Sequence, residues 1–408
     1  MKLIRILQII TILLLFEEQY FIPYFINKGI YIYHFTGSIA LLGFVLFSIK
    51  NKIVFQNNNI IKAGFLFLIL LAVNCLFSGN VIDSFKYLLG IVLSVLFAFS
   101  VLVTFEKTQI NSIIKLFSVL TIITSLIGLY DFFALHNDLP TFNTLPDDTK
   151  LTSGFRHFGT TADFAHIMLC ILIPVQCSGL MKKPDKQDKI LLIVAVILGV
   201  VLLIGTTRIS VIISLAVSII LLFFFNLKYL KKKTILLIGS VSVAITALFL
   251  VLFPSIINSI IYRAELRILN RKSNTLAGDF FIDNSKLAWQ LFTQHPIMGV
   301  GLGKSKIMVS GEEFSVHGTF FRLLSETGIV GCMSFMLLLV FIFSFVIRNM
   351  KRPNKKGSFF YQFLPFLIGL VISSIYNVHF FGFEFWLLLA TIQLFFNQEK
   401  LFFSDTNK

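Results

Sequence analysis

Several arginines and one histidine stand at the ends of apolar runs in this sequence, a combination that suits holding an anion beside a base. Arg208 lies in T-T-R-I-S, in a turn of about three residues between two such runs. Arg156 precedes another run in S-G-F-R-H-F-G-T-T-A-D-F-A, and Arg263, Arg267 and Arg271 recur at i, i+4 and i+8, on one face of a helix. A guanidinium presents a planar fork of donors that suits a phosphate. His317 opens the string H-G-T-F-F-R-L-L-S-E-T-G-I-V-G. An imidazole, with an ordinary pKa of about 6.5, is largely neutral at pH 7 and can take a proton from a hydroxyl. Each of these residues also has a plainer reading. Arg208 suits helix capping or snorkelling, Arg156 has a longer polar loop around it, the three spaced arginines suit a solvated face or lipid headgroups, and a lone histidine suits a structural hydrogen bond. His379 and Glu384 could satisfy each other. The segment Q-H-P-I-M-G-V-G-L-G-K-S lacks the glycine spacing of a phosphate-binding P-loop, and its glycines fit close turning after the helix that contains Trp289.

The elements that must position these groups are membrane helices. The chain has 408 residues, of which 56% are hydrophobic and 13% charged, about half the charge of a soluble domain. Its apolar runs approach the roughly 20 residues needed to cross a bilayer and follow one another too closely for a sizeable soluble domain. They fall near Leu3–Phe16, Ile30–Ile49, Ile60–Phe77, Tyr87–Val103, Leu116–Phe133, Ala162–Leu180, Ile190–Gly205, Ile209–Phe225, Thr234–Phe253, Thr319–Ile347, Phe359–Val378 and Phe380–Phe396. The fold expected is all-α and polytopic, with about twelve transmembrane helices, or eleven.

The net charge of +15 is concentrated in Lys182–Lys189, Lys228–Lys233 and Arg348–Lys356. Each cluster links two apolar runs, as cytoplasmic loops do, and no separate basic module points to nucleic acid. Alternation from this bias puts both termini in the cytoplasm and the arginine and histidine sites on the outer side. Glu17 and Glu18 replace a small-residue cleavage site, so the first run reads as an uncleaved span. The cysteines Cys75, Cys170, Cys177 and Cys332 form no C-x-x-C pair and read as buried apolar residues. The expected organisation is spans one to nine over 1–253, a large outer loop over 254–318, spans ten to twelve over 319–397, and a tail over 398–408. In the loop, Ile256, Ile257, Ile260, Ile261, Ala264 and Ile268 with the three arginines describe a basic amphipathic helix.

H-P-I-M-G-V-G-L-G, followed by His317 and then E-T-G-I-V-G, resembles the signature of the O-antigen polymerase and O-antigen ligase family of bacterial membrane glycosyltransferases. In that family a histidine opens a helix that ends in an acidic-x-glycine turn, and the matching positions here are His317, Glu326 and Gly328. Arg156 with Gly159 and Arg208 in its T-R context match the family's arginines. The resemblance runs from about Gly154 to Gly331 and departs at two places. Gly318 stands where the family often has Asn or Ser, and Ser285 and Lys286 stand near Trp289 where it often has an arginine.

The resemblance implies transfer of a glycan from an undecaprenyl-diphosphate-linked donor to an acceptor hydroxyl, outside the inner membrane. In that reading His317 is the base, and Arg156, Arg208, Arg263 and Arg267 bind the diphosphate. Lys286 supports them as a point charge and Glu326 orients a neighbouring element. Glu326 lies nine residues beyond His317, about 13 Å along a straight helix, too far to touch it. Asp147 and Asp148 read as a solvated turn rather than a metal site, so no cofactor and metal-independent transfer are expected. The partners implied are the lipid-linked oligosaccharide, membrane lipid and a chain-length regulator, in lipopolysaccharide or capsule synthesis. Polymerase is placed slightly ahead of ligase. The competing reading is a transporter or flippase for the lipid-linked glycan, although transporters tend to place polar groups at the midplane in related halves.

Overall fold

Inside a bilayer no water is available to satisfy backbone N–H and C=O groups, so apolar runs of this length become helices. The computed structural model describes residues 2–14, 32–51, 59–104, 110–142, 158–178, 185–226, 258, 276–309, 312–350, 359–375, 377 and 385–395. Eight helices precede the loop region: α1 Lys2–Leu14, α2 Ile32–Asn51, α3 Asn59–Leu76, α4 Val81–Thr104, α5 Ile110–His136, α6 Phe158–Ser178, α7 Lys186–Gly205 and α8 Ile209–Asn226. Then follow α9 Leu276–Gln294, the strands β1 Lys306–Val309 and β2 Glu312–Ser315, α10 Thr319–Met350, α11 Phe359–Ser374 and α12 Phe385–Phe395. Among the described residues six helices, α4 to α8 and α10, are long and apolar enough to cross a membrane. Parts of α2 and α3, with α11 and α12, form shorter apolar helices. The run at Thr234–Phe253, expected as the ninth span, lies outside the described residues, as does the amphipathic stretch with Arg263, Arg267 and Arg271.

The protein is essentially all-α, as the composition requires, but the loop region adds one antiparallel hairpin. Its register pairs Lys306 with Ser315 and Val309 with Glu312. Two four-residue strands are too short for alternation to stand out from the sequence, which is why the expectation was helical throughout.

The bundle packs α3 on α10, α5 on α7, α8 on α11, and α6 against both α7 and α11. At its centre Phe67 of α3 meets Phe335 of α10 and Trp386 of α12, with ring centroids 5.9 and 6.2 Å apart. Polar contacts at the two ends fix which termini lie together. At one end Lys115 near the start of α5 pairs with Asp188 at the start of α7 at 2.8 Å. Asn226 at the end of α8 exchanges two amide hydrogen bonds with Gln362 at the start of α11. In sequence the Lys/Arg clusters adjoin these termini. At the other end lie the start of α6, the α7–α8 turn, the start of α10 and the end of α11.

One helix is broken at that second end, and the break organises what surrounds it. Gly328 within α10 has φ 61 and ψ −159, a region open in practice only to glycine. A break leaves carbonyls unpaired before it and N–H groups unpaired after it. The segment following α9 supplies both kinds of partner. The N–H groups of Val300 and Gly301 donate to the carbonyls of Ser325 and Glu326 at 2.9 and 2.8 Å. Beyond the break, Ile329 and Val330 donate to Pro296 and Ile297 at 2.9 and 3.3 Å. Asn74 of α3, fully buried, donates to the carbonyls of Met298 and Thr327 and so joins the two strips.

A Cβ on residue 328 would lie 2.4 Å from the Ile297 carbonyl oxygen. Gly328→Ala is therefore expected to cost more than about 2 kcal/mol. The check is thermal unfolding in detergent or nanodiscs. Gly90→Ala is the control, because a Cβ there meets nothing within 4 Å, and it should leave the midpoint unchanged or slightly raised.

Candidate functional site

Arg208 follows a turn that closes α7 in three residues. The N–H groups of Thr206 and Thr207 return to the carbonyls of Leu202 and Ile204, each at 3.0 Å, and Thr207 takes φ 54. A β-branched residue enters the left-handed region only at a cost of about 1–3 kcal/mol, so the surrounding packing must impose it. The carbonyl of Arg208 then accepts from the N–H groups of Val211 and Ile212, which opens α8. Its guanidinium reaches the first turns of α6, where Nη1 donates to Asp163 Oδ2 at 3.0 Å. Each side chain of this pair keeps 22% of its surface exposed.

His317 is delivered by the hairpin. The Val316 N–H donates to the Ser305 carbonyl at 2.8 Å, just beyond the paired strands. On the other side of His317, Thr319 donates both its N–H and its hydroxyl to the carbonyl of Asn377, at 2.9 and 2.7 Å. Asn377 also accepts at Oδ1 from Ser210, two residues past Arg208, at 3.4 Å. The residue just beyond α11 therefore braces the histidine-bearing and arginine-bearing segments together. Gly318 has φ 87, and a Cβ there would lie 2.2 Å from the Ile375 carbonyl oxygen. This is a physical reason for glycine at this position.

Two cations act on His317. The side chain is exposed at the surface, yet its pKa is held below the ordinary imidazole value. Partial burial of the ring is the larger cause, and the charges of Arg208 and Arg322 push the same way. All three effects disfavour an imidazolium.

Arg322 is itself locked. Its Nε donates to Glu326 Oε1 at 2.7 Å, and its Nη2 to the Tyr87 hydroxyl at 2.8 Å. The Glu326 carboxylate, 0% exposed, also accepts from the Ser305 hydroxyl at 2.6 Å and the Gly303 N–H at 2.9 Å. Three donors thus offset the desolvation of a buried carboxylate. Glu326 holds the glycine-rich loop and Arg322 and makes no contact with His317. Lys304 extends the same anchoring through a 2.8 Å ion pair with Asp83 of α4.

Of the residues singled out in the sequence, the structure brings Arg208 and His317 to one electrostatic neighbourhood and buries Glu326 beneath it. Lys286 is exposed on α9, with no hydrogen bond or ion pair among the described residues. Arg156, Arg263, Arg267, Arg271, Asp147, Asp148, His379 and Glu384 lie outside the described residues. Sequence reasoning missed Asp163, Arg322, Tyr87, Asn74 and Asn377. Arg322 carried a signal, since it precedes Glu326 by four residues on one helix face. Asn74, an amide inside the apolar run L-A-V-N-C-L, carried another. Asp163 and Asn377 reach their partners across the fold, and spacing along the chain does not show that.

Fold and site define a polytopic membrane protein that gathers guanidinium groups and one imidazole at one end of its helical bundle. A family model described as O-Antigen ligase matches residues 193–336, from α7 to the second half of α10. That match supports the O-antigen ligase/polymerase family, in agreement with the resemblance carried by the glycine-rich and E-T-G-I-V-G strings. The matched region includes Arg208, His317, Arg322 and Glu326. No curated protein gives a significant match to the chain.

The depressed pKa of His317 has a consequence that does not depend on turnover. Its carbethoxylation by diethylpyrocarbonate, followed by peptide mass spectrometry, should rise with pH with a midpoint below about 6.5. A midpoint at or above that value would contradict the electrostatics described here.

Proposed function

We propose that this protein is a bacterial membrane glycosyltransferase that polymerises or ligates surface polysaccharide. It transfers glycan from an undecaprenyl-diphosphate-linked donor to a sugar hydroxyl on the outer side of the inner membrane, with polymerase slightly favoured. The observation that carries the reading is the neighbourhood of Arg208, Arg322 and His317, in which burial and the cations that suit a diphosphate lower the pKa of the histidine.

In this reaction the acceptor oxygen attacks the anomeric carbon of the donor sugar as the bond to the diphosphate breaks. The acceptor proton passes to the neutral His317 ring, and the leaving diphosphate carries away the bonding pair. Its charge needs fixed cations placed before the reaction. Arg208 meets this at the bundle end, with Arg156 and the loop residues Arg263 and Arg267 as further proposed ligands and Lys286 as a supporting charge. Side chains suffice for this role, so the transfer is proposed to be metal-independent. Glu326 acts indirectly, by fixing the loop that leads through the hairpin to His317.

In sequence the Lys/Arg clusters flank helix termini that lie at the end of the bundle opposite this site, and the positive-inside bias supports a cytoplasmic assignment for that end and for both termini. Membrane lipid, the lipid-linked oligosaccharide and a chain-length regulator are the partners proposed. Gathering of the polar candidates at one end favours transfer over a transporter.

His317→Ala, at normal membrane abundance, should lower polymer formation on the order of 100- to 10,000-fold. Normal polysaccharide length and amount would remove its role as base. Arg208→Lys keeps the charge and loses the fork, and should lower turnover at least about 10-fold. Unchanged turnover in a reconstituted assay would argue against fork-type phosphate binding.

A further inference from the structure

Two arginine–carboxylate pairs adjoin His317, and they differ in a way that assigns them different tasks. Glu326 is wholly buried, and its carboxylate receives donors from Gly303, Ser305 and Arg322. Separating it from Arg322 would strand a buried charge, which is strongly disfavoured. Arg322 is further engaged by Tyr87. Asp163 and Arg208 meet at 3.0 Å, and each keeps 22% of its side-chain surface exposed. A pair that keeps part of its surface exposed loses less on separation than one that is wholly buried. The turn that carries Arg208 is strained at Thr207, whose buried hydroxyl has no partner among the described residues, so the side chain of Thr207 adds no hydrogen bond that would resist a small movement.

We propose that Asp163 is the resident counter-ion of Arg208, giving up the guanidinium to the phosphate of the carrier lipid and reclaiming it as the diphosphate leaves. The proposal rests on the reading of Arg208 as a phosphate ligand. A diphosphate brought to Arg208 while Asp163 stayed in place would set like charges side by side. With the exchange, the carboxylate limits how tightly the spent carrier is held and keeps the arginine oriented between turnovers. Asp163 is in this sense a positioning residue. A fixed strut in the same place would behave oppositely, because its loss would loosen Arg208 and weaken binding.

The test uses the full chain in nanodiscs, titrated with undecaprenyl diphosphate at low salt. Asp163→Asn should bind it about 3- to 10-fold more tightly than the wild type. Arg208 should react faster with phenylglyoxal in that variant, and undecaprenyl diphosphate should protect it. With a lipid-linked oligosaccharide donor, the first turnover should be retained and later turnovers slowed. Asp163→Ser carries the same comparison if the asparagine variant does not accumulate. Weaker or unchanged binding in a folded variant, or unchanged phenylglyoxal reactivity, overturns the exchange. Arg208→Ala separates the two levels of argument. If it leaves undecaprenyl diphosphate binding intact, the phosphate-ligand reading itself falls. If it weakens binding while Asp163→Asn does not strengthen it, only the exchange falls.

Discussion

The arrangement depends on a mutual repair of backbone hydrogen bonds. A helix that must break at Gly328 exposes peptide groups with no water nearby to accept them, and the segment Pro296–Gly301 is held in place by being their partner. Neither strip is stable alone in an apolar setting, since each unpaired group there costs several kcal/mol. Together they form a small non-helical layer at the end of the bundle, fastened to α3 by Asn74 and to α10 by Glu326. The hairpin, His317 and the start of α10 are all placed relative to that layer.

Electrostatics then sorts the charged residues by burial. Glu326 and Arg322 are enclosed with a full set of donors and behave as framework. Arg208 and Asp163 each keep 22% of their side-chain surface exposed, which is the basis for proposing that they respond to an incoming anion. His317 lies where burial and the guanidinium charges of both pairs act on it together, and all of them lower its pKa. The chemistry proposed for the site uses this division, with a rigid pair beneath and an adaptable pair at the surface.

Much of this was legible in the sequence because a bilayer imposes strict rules on composition. Run length and charge placement gave the helical class, the ends of most spans and the grouping of Arg208 with His317. Glu326 was readable as an element that orients something else, since nine residues of helix put it out of reach of His317. The hairpin escaped because four-residue strands carry no resolvable period. Asp163 and Asn377 escaped because their importance lies in contacts across the fold, 45 residues from Arg208 in one case and 167 from Ser210 in the other. Such contacts follow from helix packing, and packing is not written in local spacing.

The bracing by Asn377 has a mechanical consequence. Its carbonyl carries the start of α10 and its side-chain oxygen touches the start of α8. A tilt of α11 would thus carry the imidazole and the guanidinium in the same direction, and their separation would change less than the position of either. A bundle that flexes in this way keeps the spacing between imidazole and guanidinium nearly constant.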